Sequence, residues 1–151
     1  MKKIIKSLFF LFLPLLLGSI VGFIISNYIN YADLNKPPFS PPSILFPIIW
    51  SAIYLLIGFS YFLFKNENQN NKMIDNVYYL QLFVNITWPI LFFVFKFYFL
   101  ALLWIMFLFI LVLWLYNLYK KNKKISAYLL FPYLIWLLFA FYLNAGIYLL
   151  N

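Results

Sequence analysis

The sequence predicts an all-α membrane protein, a five-transmembrane-helix bundle forming one domain over residues 1–151, on three observations. Composition comes first: 67% of residues are hydrophobic, 25% aromatic and only 9% charged, with a mean hydropathy of +0.95, which no soluble domain carries. Length comes second, because 151 residues divided by about 20 per span leaves room for about five crossings with short connections. Third, the lysines stand at the ends of the apolar runs and form no basic stripe, so the net charge of +8 reads as membrane anchoring with lipid as the partner and no nucleic acid. The absence of cysteine and histidine excludes disulfides, thiolate nucleophiles, zinc sites and histidine acid–base chemistry, and no metal site is expected.

The first span is read at about 4–26. Its basic start, MKKIIK, and apolar run also describe a signal peptide, but no small-x-small cleavage site follows and the run continues past Gly22, so a retained helix is expected. Gly18 and Gly22 make a small-xxx-small pair through which a neighbouring helix, or a second copy in a homodimer, can approach. Residues 27–42 form the longest connection. Four prolines, at 37, 38, 41 and 42, deny it backbone donors and bias it toward extended geometry, giving a stiff lid.

The second span is expected at about 43–64, with Ser43 as N-cap and Pro47 within a turn of the start, where a missing N–H costs least. Phe46, Trp50, Tyr54 and Gly58 then fall four apart on one face, two large polar-edged rings above a gap at the glycine: a wall of a pocket roofed by the lid. The polar run KNENQNNKMID reads as a solvent loop. The third span, about 77–95, carries Gln81, Asn85 and Trp88 on one face, and amides inside a bilayer must turn inward to find partners. Whether they line a pocket or only bond neighbouring helices stays open. No span uses all of 77–119, so the chain turns near 95–98 and a fourth span follows at about 99–119, a lipid-facing or scaffolding helix without a buried polar group. The fifth, about 125–149, places Tyr133, Trp136, Ala140 and Asn144 on one face.

Nine lysines fall on the side of the N-terminus and the second and fourth loops, and two on the other, which predicts a cytoplasmic N-terminus, an outer lid and an outer C-terminus. Richness in lysine, asparagine and isoleucine points to a bacterial plasma membrane.

Three motifs carry a resemblance: L-x-KPP-F-x-PP-x-x-x-F-x-x-x-W-x-x-x-Y from Leu34, QLFVNITWPILFF from Gln81, and PYLIWLLFAFYLN from Pro132. Their order and placement resemble the TspO/MBR family of tryptophan-rich sensory proteins and translocator proteins. The resemblance implies a five-helix, often dimeric bundle with a cavity beneath the first loop that takes protoporphyrin IX or haem, along with benzodiazepine- and isoquinoline-type ligands and, in some members, sterols. Carried over by motif, Trp50, Asn85, Trp88, Trp136 and Ala140 line that cavity, and Tyr31 and Pro42 belong to the lid. Two departures stand out. Phe39 replaces a lid tryptophan, and Tyr148 is followed by no basic residue, which argues against sterol recognition; the looser pattern Val112, Tyr116, Lys120 reads better as interface anchoring.

The chemistry of the residues agrees with such a ligand. Phe46, Trp50 and Trp136 can stack on a flat macrocycle for about 0.5–1.5 kcal/mol per pair, Gln81 and Asn85 can bond its polar edge, and Lys36 is the lid cation available to a carboxylate. Without histidine or cysteine, iron would fall to a tyrosine, so metal-free porphyrin or loosely held haem is favoured and no cofactor is required. Three functions follow: a tetrapyrrole sensor or translocator; an enzyme of light- and oxygen-dependent porphyrin breakdown, as the family has been linked to, with Trp50 and Trp136 as oxidisable indoles beside the excited ligand; or a small transporter of lipophiles, which no ionisable side chain within a span would couple to an ion gradient.

Overall fold

In a bilayer every backbone N–H and C=O must be satisfied within its own segment, and the apolar runs accordingly fold as helices. The computed structural model describes residues 2–67 and 70–151, with side chains from Leu8 onward, so the side chains of Lys2, Lys3 and Lys6 lie outside the described residues. Five helical segments are long and apolar enough to cross a membrane, and no strand occurs among the described residues. They are α1 (Lys2–Ile25), α2 (Leu45–Asn66), α3 (Lys72–Pro89) with a π-helical turn (Ile90–Val94), α4 (Tyr98–Asn122), and a fifth span built from α5 (Lys124–Leu129) and α6 (Phe131–Leu150).

Local chemistry explains where these bounds depart from expectation. The first two amides of α2 are taken by carbonyls, Leu45 N donating to Pro42 O at 3.0 Å and Phe46 N to Ser43 O at 3.2 Å; Ser43 is therefore not the cap, and the helix starts at Leu45 without a side-chain cap. Helix α3 begins at Lys72 rather than near 77, because Asn71 Oδ1 accepts from Met73 N and Ile74 N, and Asp75 in the first turn suits the helix dipole. The end of the expected solvent loop is thus helical. The turn falls at 95–97 as expected. Lys96 takes a φ of 54° there, letting Phe97 N reach Leu91 O at 3.0 Å, a closure normally made by glycine, and a lysine in that region costs about 1–2 kcal/mol. Pro132 has no N–H for the carbonyl one turn back, so the fifth span breaks at Leu130 into two helices.

The helices close into a ring: α1 packs on α2 and α3, α2 on the fifth span, and α4 on the fifth span and α3. Helix α1 lies very close to α2. A Cβ at Gly58 would stand 1.9 Å from Leu11 O, and one at Gly18 would stand 2.2 Å from the Tyr54 ring. The gap expected at Gly58 is therefore occupied by the backbone of α1 and is no part of a pocket, whereas a Cβ at Gly22 would meet nothing within 4 Å beyond its own stretch of helix among the described residues. Helix α4 is a scaffold, as expected, but not one free of buried polarity: the Tyr119 phenol is fully buried, and Trp104 Nε1 donates to Thr87 Oγ1 at 3.0 Å. At one end loops two and four meet through the ion pair of Lys123 with Glu67, while Lys65 holds Asp75 at 2.7 Å. At the other end Asn151 bonds Asn35, so the C-terminus lies beside loop one, as an odd number of spans requires.

Candidate functional site: an aromatic cage under a latched lid

Under loop one the side chains of three elements converge. Helix α2 supplies Phe46 and Trp50, α3 supplies Trp88 and, from its π-turn, Phe92 and Phe93, and α6 supplies Trp136, Ala140, Leu143, Asn144 and Ile147; Tyr31 closes the top from the loop. The rings pack on one another. Trp50 stacks with Trp88 at 6.2 Å between centroids and meets Trp136 edge-on at 6.3 Å, Phe46 meets Trp136 at 6.1 Å, and Tyr31 meets Phe46 at 5.0 Å. The space left between them is about 20 Å³, room for about one water.

Of the residues singled out from the sequence, Tyr31, Phe46, Trp50, Trp88, Trp136, Ala140 and Asn144 stand on this wall. Tyr54, Gln81 and Asn85 do not; they form a buried polar layer with Tyr133. Tyr54 donates to Asn85 Oδ1 at 3.0 Å, Asn85 Nδ2 donates to the Tyr133 hydroxyl at 2.5 Å, and that hydroxyl donates to Gln81 Oε1 at 3.3 Å. These bonds join α2, α3 and α6, the helix-bonding alternative, and leave only Gln81 Nε2 of the layer's amide groups buried without a partner. Pro42 sits exposed at the far end of the lid, off the wall. Phe92, Leu143 and Ile147 were legible by helical spacing from Trp88 and Trp136. Phe93 was not, since only the wider π-turn brings it to the same side as Phe92.

The wall is almost wholly apolar, and its polar atoms fall into two kinds. Trp88 Nε1 donates to Asn144 Oδ1 at 3.3 Å and Asn144 Nδ2 to Ala140 O at 2.8 Å, so those are satisfied. Trp136 Nε1 and the Tyr31 hydroxyl are buried without a formed hydrogen bond, the Ser40 hydroxyl near Tyr31 donating instead to Pro37 O at 2.7 Å. An unmade buried hydrogen bond costs about 1–3 kcal/mol, which makes these two groups donors in want of an acceptor. Burial pushes the Tyr31 phenol above its ordinary pKa, against a smaller opposing effect of the Ser40 hydroxyl, so it stays protonated and able to donate.

The lid is latched to α6. Asn35 N donates to Asn151 Oδ1 at 3.0 Å and Asn151 Nδ2 returns a bond to Asn35 O at 2.8 Å; Tyr142 donates to Pro38 O at 2.8 Å. Pro37 is buried against Gly146, where a Cβ would come within 2.4 Å of its ring. Phe39, at a φ of 61°, is 90% exposed and makes no roof over the cage. Lys36 is engaged within the lid, donating to Tyr31 O and Ala32 O at 3.2 and 3.3 Å with its ammonium 4.9 Å from the Tyr31 ring centre, rather than held ready for a carboxylate.

The profile of the TspO/MBR family matches residues 10–150. A tryptophan-rich protein TspO from Archaeoglobus fulgidus is 38% identical over 80% of this chain and 79% of its own. A tryptophan-rich protein TspO from Bacillus cereus is 32% identical over 100% and 99%, and the translocator protein of Bos taurus is 32% identical over 85% and 82%.

Proposed function

Because the chain belongs to the TspO/MBR family and is an integral membrane protein, we propose that its aromatic cage binds a flat, apolar, acceptor-bearing ligand of tetrapyrrole type, protoporphyrin IX foremost, and senses it or hands it on. One observation carries this reading: an otherwise apolar wall of stacked rings holds two buried donors, Trp136 Nε1 and the Tyr31 hydroxyl, that nothing in the protein satisfies. A macrocycle supplies both what the rings want and what the donors lack. Benzodiazepine- and isoquinoline-type ligands, flat with a carbonyl, meet the same two demands. The Tyr31 phenol, held neutral by burial, is a poor source of the phenolate that iron would take, which favours metal-free porphyrin over haem.

Ligands of this size need about 300–1,000 Å³, so the closed cage must open, and the latch of loop one on α6 is the contact that has to yield. The lysine distribution supports placing the lid outside and the N-terminus in the cytoplasm, and the richness in lysine, asparagine and isoleucine supports a bacterial plasma membrane.

Protoporphyrin IX titrated into the purified protein in the dark, followed by tryptophan fluorescence quenching, tests the reading. Trp136→Phe loses contact area and one donor and is expected to weaken binding about five- to tenfold, near 1 kcal/mol. Trp104→Phe, whose parent indole bonds Thr87 away from the cage, is expected to leave the affinity unchanged. Equal losses in the two variants would remove the ligand from the cage. Repeating the incubation under light separates binding from breakdown: a new absorbance spectrum that is lost in Trp50→Phe and Trp136→Phe supports the enzymatic alternative, since those two indoles adjoin on the wall.

A further inference from the structure

On the far side of Phe92 and Phe93 lies a second space, of about 210 Å³, bounded by those two rings and by Asn30, Asp33, Lys96 and Tyr98. The same phenylalanines line the cage, so they form a partition between the apolar chamber and a vestibule of mixed character, whose lining adds Tyr28 and Leu34 to its polar groups. The local backbone builds that partition. A π-turn over Ile90–Val94 brings both rings to it, and Lys96, in the left-handed region, ends the turn at the vestibule. π-Turns and strained non-glycine residues concentrate at functional sites.

The cation in this vestibule is uncommitted. Lys36 is held by two carbonyls, Lys65 by Asp75 and Lys123 by Glu67, but Lys96 makes no hydrogen bond or ion pair among the described residues, and Asp33, on the same wall, is not paired with it. Resting on the cage reading above, we propose that the vestibule receives a carboxylate of the ligand whose rings enter the cage, with Lys96 as its counter-charge. The physical reason is charge: the chamber's two donors are a neutral indole and a neutral phenol, so a carboxylate drawn into it would lose its hydration without a counter-charge, whereas one left in the vestibule keeps water and gains an ammonium. Asp33 repels the same group and confines it to the lysine side. The vestibule thereby selects acidic macrocycles over neutral ones of equal shape.

The test compares protoporphyrin IX with its dimethyl ester, in the dark, at low and high salt. Lys96→Gln is expected to weaken the diacid three- to tenfold at low salt and less at high salt, while the ester binds as before, which also reports an intact cage. Asp33→Asn is expected to tighten the diacid alone, and Lys96→Arg to restore it. Lys72→Gln, at the opposite end of the bundle, removes the same net charge and is expected to change neither. If Lys96→Gln leaves the diacid unchanged, weakens acid and ester alike, or matches Lys72→Gln, the vestibule assignment is overturned while the cage reading stands. If the unmodified protein binds neither compound, the cage reading fails and the vestibule falls with it.

Discussion

Two tyrosines facing the same region carry opposite consequences. The Tyr31 hydroxyl has no partner, so Tyr31→Phe removes a burial cost and is expected to leave thermal stability unchanged or slightly raised while weakening porphyrin binding about three- to tenfold. The Tyr54 hydroxyl donates to Asn85, so Tyr54→Phe strands a buried amide oxygen and is expected to cost about 1–3 kcal/mol of stability, with little loss of affinity in the protein that remains folded. Thermal shift and fluorescence titration on the two variants check the crossover; equal behaviour would mean that the polar layer and the cage are one site. The sequence placed Tyr54 on an inward helix face and Tyr31 in the lid but not this difference, since a partner on another element is invisible to spacing along one.

Between helices, the glycines divide in the same way. Gly58 meets the Leu11 carbonyl and Gly18 the Tyr54 ring, so α1 and α2 are in contact through backbone as much as through side chains. Gly58→Ala must push a main-chain carbonyl aside, and a loss of about 1–3 kcal/mol is expected in thermal or denaturant unfolding in detergent. Gly22→Ala has open space around it and is expected to be neutral or to stabilise by up to about 1 kcal/mol. A change in dimer content on Gly22→Ala, read by cross-linking in membranes, would assign its open side to a second copy; none would leave the small-xxx-small pair as a half-used intramolecular contact. The helix count and order were legible because apolar runs of this length have no other fold in lipid. The fifth span reads as one helix in the sequence although Pro132 carries the local signal for its break at Leu130, whereas the π-turn, which the spacing does not encode, needed its surroundings.

For the molecule as a whole, the two ends differ in charge and in work. One end gathers loops two and four with their ion pairs, and the other carries the lid, the vestibule and the C-terminus. Orientation can be read by labelling: Ser40→Cys and Asn151→Cys are expected to react with an impermeant maleimide on intact cells, and Asn122→Cys to react only after lysis. Reaction at 122 in intact cells would invert the proposed topology. The lysine count carried this expectation, and the structure adds that the sets of loops predicted to share a side do meet in space.

The sequence by itself determined that the chain is a helical membrane protein of five spans, which loops share an end, and which residues share a face, because hydrophobic length and a 3.6-residue period are local properties of the chain. Tertiary structure alone decided which members of a face stand at the level of the cage and which lie one layer deeper. It set Trp50 and Trp136 against each other, spent Asn85 and Gln81 on a polar layer, filled the gap at Gly58 with α1, and seated Pro37 on Gly146. Periodicity fixes the direction in which a side chain leaves its helix, but its height against its neighbours follows from how the helices slide past one another, and that is settled by packing across the whole bundle.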